Sequence, residues 1–273
     1  MKATRPRPPS RARKTITLLA GAAVIVACVI AVDARWSELP ALPATMAGYL
    51  ELMAQGVLAN PTVEPQAGYW SRAIELMLES LHMAWIGTLL GAILSFPIGL
   101  LAAENVSPKP VTFITRQILN AIRAIPELIF AIAIMLPVFG LGPLAGALAL
   151  GIHSVGTLGK LTSEVVESAD RGPMEAAAAA GAGPLAIVRS SIVPQVLPET
   201  VAFWLYRFEI NIRASAVLGV LGAGGIGSIL GELFVRRQWD RIGITLVVII
   251  IVTVAIDNIS ARIRHRLIAP HQR

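Results

Sequence analysis

The chain has 273 residues, of which 55% are hydrophobic and only 15% are charged. Soluble domains carry about 25% charged residues, so this composition excludes an ordinary soluble enzyme, a disordered chain and a secreted disulfide scaffold. The net charge is +6, but the basic residues crowd the two ends of the chain beside long apolar runs. That arrangement is typical of membrane orientation signals and argues against nucleic-acid binding. The sequence therefore predicts an integral membrane protein.

Six apolar segments approach the roughly 20 residues that a spanning helix needs, which predicts an all-α fold of about six transmembrane helices. The first, 15–32, is uncharged and follows a basic N-terminus at 1–14. A cleaved signal peptide is the alternative for it, but a retained anchor is favoured because the run exceeds the roughly 7–15 residues of a signal's apolar region. The other predicted spans are 77–103, 112–139, 143–165, a fifth that begins near Pro198, and 242–259.

The connections complete the predicted topology. Residues 33–72 are mixed in composition and indicate an external segment with a short amphipathic helix around Thr45–Gln55. The core at 73–263 contains a polar loop at 167–198. An even number of spans places the basic termini, 1–14 and 264–273, together in the cytoplasm. The fifth span is expected to be a helix, a glycine-rich break and a short outer helix, because 198–235 is too long for one straight crossing.

The polar loop has a clear helical pattern. Pro173 suits a first helical turn, and the residues up to Ala180 are almost all alanine, the strongest helix former. Gly181 and Gly183 should stop this helix, and Pro184 can open a second one that ends before Pro194. From the residues alone, a simple connector and a segment that docks on a partner protein both remain open.

Several motifs resemble a known family. Glu175-Ala176-Ala177, Gly181 and Pro194 follow the spacing of the EAA loop of ABC-importer permeases. Departures at Ser191 and Val193, where larger aliphatic residues are usual, are similar to the phosphonate-transporter permease subfamily. So are further motifs, which extend the resemblance to roughly 77–260: Arg123–Glu127, Gly140–Pro143, Leu158–Leu161, Leu205–Asn211 and Gly222–Gly227.

The resemblance implies the type I importer permease fold and a permease subunit of an ATP-driven importer for phosphonate, phosphite or phosphate in the bacterial inner membrane. It implies as partners a second permease copy (homodimer) or a paralogue, two cytoplasmic ATPases and an external substrate-binding protein. The EAA-loop residues would couple to the ATPase. The chain has no phosphate-binding loop, so it should bind no cofactor and perform no covalent chemistry, with ATP and Mg on the partner ATPase. An ion-gradient-driven secondary transporter of a small anion is the alternative.

One glycine-rich motif has two interpretations. Gly222, Gly224 and Gly227 satisfy the dinucleotide-binding pattern G-x-G-x-x-G. That pattern needs flanking βαβ units, whereas the flanking segments here have membrane length. The glycines, with Gly225, more plausibly permit a tight turn and close packing beside the pathway. In the resembled family this region lies near the outer gate.

Ionisable residues inside spans are costly and are functional candidates by default. Arg123 precedes Glu127 by four residues, which predicts one helical face for both, and Glu209 and Arg213 have the same spacing. His153, Arg207 and Asn211 are the other polar candidates at this depth. They are either structural partners within the bundle or the lining of an anion path, for which arginine is well suited. The histidines have no metal-ligand spacing.

Overall fold

The computed structural model describes residues 11–32 and 34–268. This part of the chain is helical and contains no strand, which confirms the all-α fold class. The predicted basic termini fall partly outside the described residues, since Arg5 and Arg7 at one end and residues 269–273 at the other are not among them.

The chain divides into two compact units, residues 1–49 and 50–273. The first unit contains α1 (Arg11–Ala31) and a 3₁₀ turn at Trp36–Ala41, and α2 (Leu42–Leu58) crosses the boundary into the second unit. The described side chains of α1 are all exposed and form an apolar surface, as expected for a helix that lipid would surround. The predicted amphipathic helix at Thr45–Gln55 corresponds to the middle of α2.

The second unit is a helical bundle in which α3 (Gln66–Ala102) packs along α7 (Pro143–Ser168). Small residues bring the two backbones close together. A Cβ added at Gly91 would lie only 2.4 Å from the Cβ of Ser154, so the contact requires glycine. Close approach through small residues is how helices associate in a membrane, where lipid offers no hydrophobic driving force between them.

The third predicted span is broken. It consists of α4 (Lys109–Ala124) and a second rod bent by 89° from it. The rod is made of α5 (Glu127–Phe130), a π-helical turn and α6 (Leu136–Phe139). The break occurs because Pro126 has no N–H and forces the residue before it out of the helical region; Ile125 is extended, with φ −93° and ψ 119°. The predicted span at 112–139 therefore consists of two helical segments that meet at a sharp bend.

The polar loop contains α8 (Arg171–Ala179) and α9 (Pro184–Ile187). The second helix does not end before Pro194. It continues through a π-helical turn at Val188–Ile192 into α10 (Val193–Leu218), and Pro198 lies inside this helix rather than at its start. The wider turn before Pro194 accommodates the missing backbone donor. Helical structure therefore runs from Pro184 to Leu218, and the predicted polar loop at 167–198 includes its first turns.

The predicted glycine break follows α10. A turn at Gly219–Ala223 leads to α11 (Ile226–Val235), bent by 59°, and the chain ends in α12 (Trp239–Ile268). Within the described residues, four helices are long and apolar enough to cross a membrane. Each bent pair adds one more crossing if it is counted as a single span, which gives the six that the sequence predicts.

Candidate functional site

Polar side chains from four helical segments meet inside the bundle. This central polar cluster is contributed by α3, α5, α7 and α10, and its members are Thr88, Glu127, His153, Ser154, Arg207 and Asn211. Four of the six were predicted from the sequence as polar candidates inside the spans. Ser154 and Thr88 carry no signal in the sequence that distinguishes them from other serine and threonine residues in helices. Glu127 is placed there by the proline break, since it is the first residue of α5.

Arg207 is the centre of the cluster and is only 5% exposed. Its Nη2 donates to Oε2 of Glu127 at 3.0 Å and lies 2.8 Å from Nδ1 of His153. Its Nε donates to the hydroxyl of Ser154 at 2.9 Å. A buried charge is tolerated only when it is paired and hydrogen-bonded, and Arg207 meets both conditions. The guanidinium therefore joins α10 to α7 and to the broken third span.

Asn211 lies one turn further along α10 and is fully buried. Its Nδ2 donates to the hydroxyls of Thr88 at 2.9 Å and Ser154 at 3.1 Å. Ser154 thus receives hydrogen bonds from both α10 residues, which ties the two layers of the cluster together. The arrangement fixes the rotation of α10 against α3 and α7.

The predicted pairing of Arg123 with Glu127 on one helical face is wrong. The break at Ile125–Pro126 separates the two residues, and Glu127 turns to Arg207 instead. Among the described residues Arg123 has no ion pair or hydrogen bond, and it is exposed on the surface of the isolated chain. It lies against Gly156 of α7, where an added Cβ would be 3.1 Å from its Cγ.

Glu209 and Arg213 also find other partners than each other. Arg264 of α12 forms an ion pair with Glu209 at 3.0 Å, and Arg213 donates a hydrogen bond to Asp257 of α12 at 3.1 Å. Sequence reasoning missed the role of α12, although Asp257 and Arg264 are seven residues apart and so share a helical face. Two opposite charges on that face could have been matched to the acid and base of the antiparallel α10.

The ion pairs neutralise almost every charge of the central segments. Arg207, Arg213 and Arg264 are each paired with a carboxylate, namely Glu127, Asp257 and Glu209. Arg123 is the remaining arginine of the predicted set, and no carboxylate of the described residues forms an ion pair with it. In a membrane protein such a residue requires water, an anion or another protein chain as its neighbour.

The predicted gate glycines form a fixed turn. Gly224 and Gly225 have φ values of +82° and +66°, which only glycine adopts readily. The carboxylate of Glu79 accepts from the Gly225 N–H at 3.2 Å, and the hydroxyl of Ser80 accepts from the Ile226 N–H at 2.9 Å. The turn is thereby attached to α3. No strand flanks it in the described sequence, so the dinucleotide interpretation of Gly222, Gly224, Gly225 and Gly227 has no structural basis.

At the other end of the bundle α8 presents Glu175, Ala176 and Ala177. Glu175 is exposed. Gly181, at φ +82°, ends the helix: its N–H bonds the carbonyl of Ala178, and the next N–H bonds that of Ala177, which is the Schellman stop. A cavity of about 500 Å³ lies beside α8, lined by residues that include Asn105, Arg171, Met174, Glu175, Val188 and Ile192. The short helix is thus a rigid, protruding element with a hollow at its side.

The described part of the chain holds no group of three His, Cys, Asp or Glu side chains that could bind a metal ion.

The architecture is that of a transport permease. It is a bundle of spans with a neutralised polar centre, a glycine turn at one end and a protruding helix at the other.

The chain matches the family described as "Binding-protein-dependent transport system inner membrane component" over residues 95–273. It belongs to this family and is a multi-pass inner-membrane transport subunit. Membership implies an ATPase and a substrate-binding protein as partners. Nothing in the matches favours a secondary transporter.

Two curated relatives are close in sequence. The phosphite transport system permease protein PtxC of Stutzerimonas stutzeri is 39% identical over 209 residues, which cover 76% of this chain and 75% of that protein. The phosphate-import permease protein PhnE of Mycolicibacterium smegmatis is 41% identical over 184 residues, which cover 67% of this chain but 34% of that protein. Both are called permeases for oxidised phosphorus compounds.

A solved structure shares the fold. The MetNI methionine ABC transporter, in inward-facing conformations, contains a chain that matches with a TM-score of 0.64 and 22% identity, covering 76% of this chain and 99% of that one. At this identity the likeness establishes the type I importer permease fold and nothing about the substrate.

Proposed function

We propose that the chain is the permease subunit of an ATP-driven importer for phosphonate, phosphite or phosphate. The observation that carries the proposal is the 39% and 41% identity to permeases named for phosphite transport and phosphate import. The unpaired Arg123 supports the same chemistry, because guanidinium groups bind phosphorus oxyanions through a fork of donors.

The proposed assembly contains a second permease, either an identical copy or a paralogue. Arg213 supports it, since its side chain is 51% exposed on α10 although it lies within a membrane segment. A charged side chain facing lipid is costly, so a neighbouring permease or a hydrated pathway is expected to cover it. Two ATPase subunits would hold ATP and Mg, and an external binding protein would deliver the substrate.

In the proposed orientation both termini are cytoplasmic, and α8 faces the ATPase. The segment Glu175, Ala176, Ala177 and Gly181 would make the contact, and Pro194 would begin the long helix that follows. The glycine turn with Gly222, Gly224, Gly225 and Gly227 would then lie at the external end as part of the gate. Basic residues at the end of α12, Arg262 and Arg266, agree with this orientation because cytoplasmic flanks are enriched in arginine and lysine.

The substrate path is proposed to run beside Arg123. The other candidates serve mainly to hold the helices of the bundle together, because their charges and donors are engaged in ion pairs and hydrogen bonds with other helices. These candidates are Arg207, Glu127, His153, Glu209, Asn211 and Arg213. Of the described members of this set, a passing oxyanion would therefore meet one guanidinium that no carboxylate pairs, which favours brief contact over tight retention. High affinity would be left to the binding protein.

Uptake by the complete complex in lipid vesicles tests the proposal. Wild type should accumulate phosphate, phosphite or an alkylphosphonate only when ATP is present on the side of the membrane that carries the ATPase subunits. An imposed ion gradient should not replace ATP. Arg123→Gln should lower uptake about tenfold or more, since a hydrogen bond to a charged group contributes about 1.5–3 kcal/mol. Lys109→Gln, a loss of charge at the start of the same helix, is the matched control. Gradient-driven uptake without ATP would refute the importer, and unaltered uptake by Arg123→Gln would refute the path.

A further inference from the structure

The start of α8 is tied to the start of α10 by side chains that the coupling motif does not include. Asp170 lies between α7 and α8, and both of its backbone groups bond Gln195 of α10. The Gln195 Oε1 accepts from the Asp170 N–H at 3.0 Å, and its Nε2 donates to the Asp170 carbonyl at 3.4 Å. The same Nε2 donates to the Ser191 carbonyl at 2.6 Å. One amide thus joins three backbone groups on both sides of the loop.

Ser191 adds a second tie. Its hydroxyl donates to the carbonyl of Pro173, in the first turn of α8, at 3.1 Å, and the residue is only 6% exposed. Ser191 is also a position at which the sequence departs from the general EAA pattern by replacing a larger aliphatic residue. An aliphatic side chain could not make this bond, so the departure has a physical consequence.

The C-terminal end of α7, which precedes α8, is held by side chains of the neighbouring segments. Arg116 of α4 bonds both Glu104 and Glu167, and the amide of Asn105 donates to the carbonyl of Val166 at 2.7 Å. The end of α7 is thereby fixed, while α8 is attached to α10. A force on α8 is consequently directed into α10 rather than lost in a flexible hinge.

The helix that receives this force is the one that carries the central polar cluster. Gln195 and Arg207 lie twelve residues apart on α10, which corresponds to about 18 Å along a helix. No break separates them, since α10 is continuous over this length. A displacement of α8 can therefore reach Arg207 and Asn211 through one rigid element.

We propose that Gln195 and Ser191 are positioning residues that brace α8 against α10, so that closure of the ATPase subunits moves α10 and with it the central polar cluster. The inference rests on the proposed function, because it takes α8 as the element that the ATPase contacts. The two side chains do not touch substrate or nucleotide. They set how much of the movement of α8 arrives at the transport path.

The test is the number of substrate molecules taken up per ATP hydrolysed by the reconstituted complex with its ligand-loaded binding protein. Gln195→Met keeps the side-chain length but removes every hydrogen bond. It should lower this ratio at least about tenfold, since three hydrogen bonds of ordinary net strength are lost, while the amount of ATPase bound per permease stays the same. Gln117→Met, at an exposed glutamine of α4 that has no hydrogen bond in the described chain, should match wild type.

Ser191 provides a second, independent readout. Ser191→Ala should lower the ratio, and Ser191→Thr, which keeps the hydroxyl, should restore it; a role in folding alone would alter yield and leave the ratio per assembled complex intact. If Gln195→Met and Ser191→Ala both transport with the wild-type ratio, the brace is refuted. If the Gln195 variant does not assemble, the Ser191 pair decides. Failure of wild type to transport any phosphorus oxyanion would instead refute the proposed function.

Discussion

Removing the charge of Arg207 should strongly destabilise the bundle. The Arg207→Met variant leaves Glu127 without its 3.0 Å cationic partner and Ser154 without its 2.9 Å donor. Breaking a buried pair by removing one partner costs about 3–5 kcal/mol. The Glu127 side chain is 24% exposed, so we expect the lower end, about 3 kcal/mol. At about 2–4 °C per kcal/mol for a chain of this size, the midpoint of thermal unfolding should fall by about 6–12 °C.

A double-mutant cycle with Glu127→Gln separates the pair from its surroundings. Thermal unfolding of wild type, both single variants and the double variant would be measured in the same lipid nanodiscs. Because each single change removes the opposite charge that faces the other group, the double variant should be more stable than the sum of the two losses predicts, by about 1–3 kcal/mol. Strict additivity would refute the pairing. Unchanged stability together with a raised KM for the substrate would show that Arg207 contacts the anion instead.

Two further predictions concern glycines that sequence reasoning selected. Gly227→Ala places a Cβ 1.9 Å from the carbonyl oxygen of Ala216, so the complex should no longer elute as a single species in size-exclusion chromatography. The control Gly231→Ala, whose added Cβ has its nearest neighbour at 3.4 Å, should elute like wild type. Normal assembly of Gly227→Ala would contradict the close packing at this glycine. Gly181→Ala meets no atom within 4 Å but must adopt φ +82°, at a cost of about 1–2 kcal/mol. Gly181→Ala should reduce ligand-stimulated ATP hydrolysis, while Gly183→Ala, at φ −69°, should retain it. Equal rates of ATP hydrolysis in the two variants would show that coupling does not require the helix stop at Gly181.

The number of spans and their helical type could be predicted because they depend on local signals. Apolar length defines the spans, and the glycines at 222–225 announce the break between α10 and α11. Prolines were the least reliable signal. Pro126 breaks a span that hydropathy presents as continuous, whereas Pro194 and Pro198 remain inside one helix. The difference arises from neighbouring backbone: a π-helical turn absorbs the missing donor before Pro194, and nothing in the local sequence announces that turn.

Sequence spacing assigned the wrong ion pairs for a different reason. Spacing of four residues makes Arg123 and Glu127, or Glu209 and Arg213, neighbours only if the helix is intact and no better partner is near. The first condition fails at the broken span. The second fails where α12 offers charges of the opposite sign to α10. Sequence spacing describes one helix at a time, while the pairing of buried charges is decided between helices.

These pairings make α10 the element through which the whole bundle is coordinated. Arg207 bonds it to α7 and α5, Asn211 bonds it to α3, and Glu209 and Arg213 form ion pairs with α12. Its first turn is fixed to the start of α8 by Gln195. Because side-chain bonds of this kind have discrete arrangements rather than a continuum, a movement of α10 must exchange partners at several helices together.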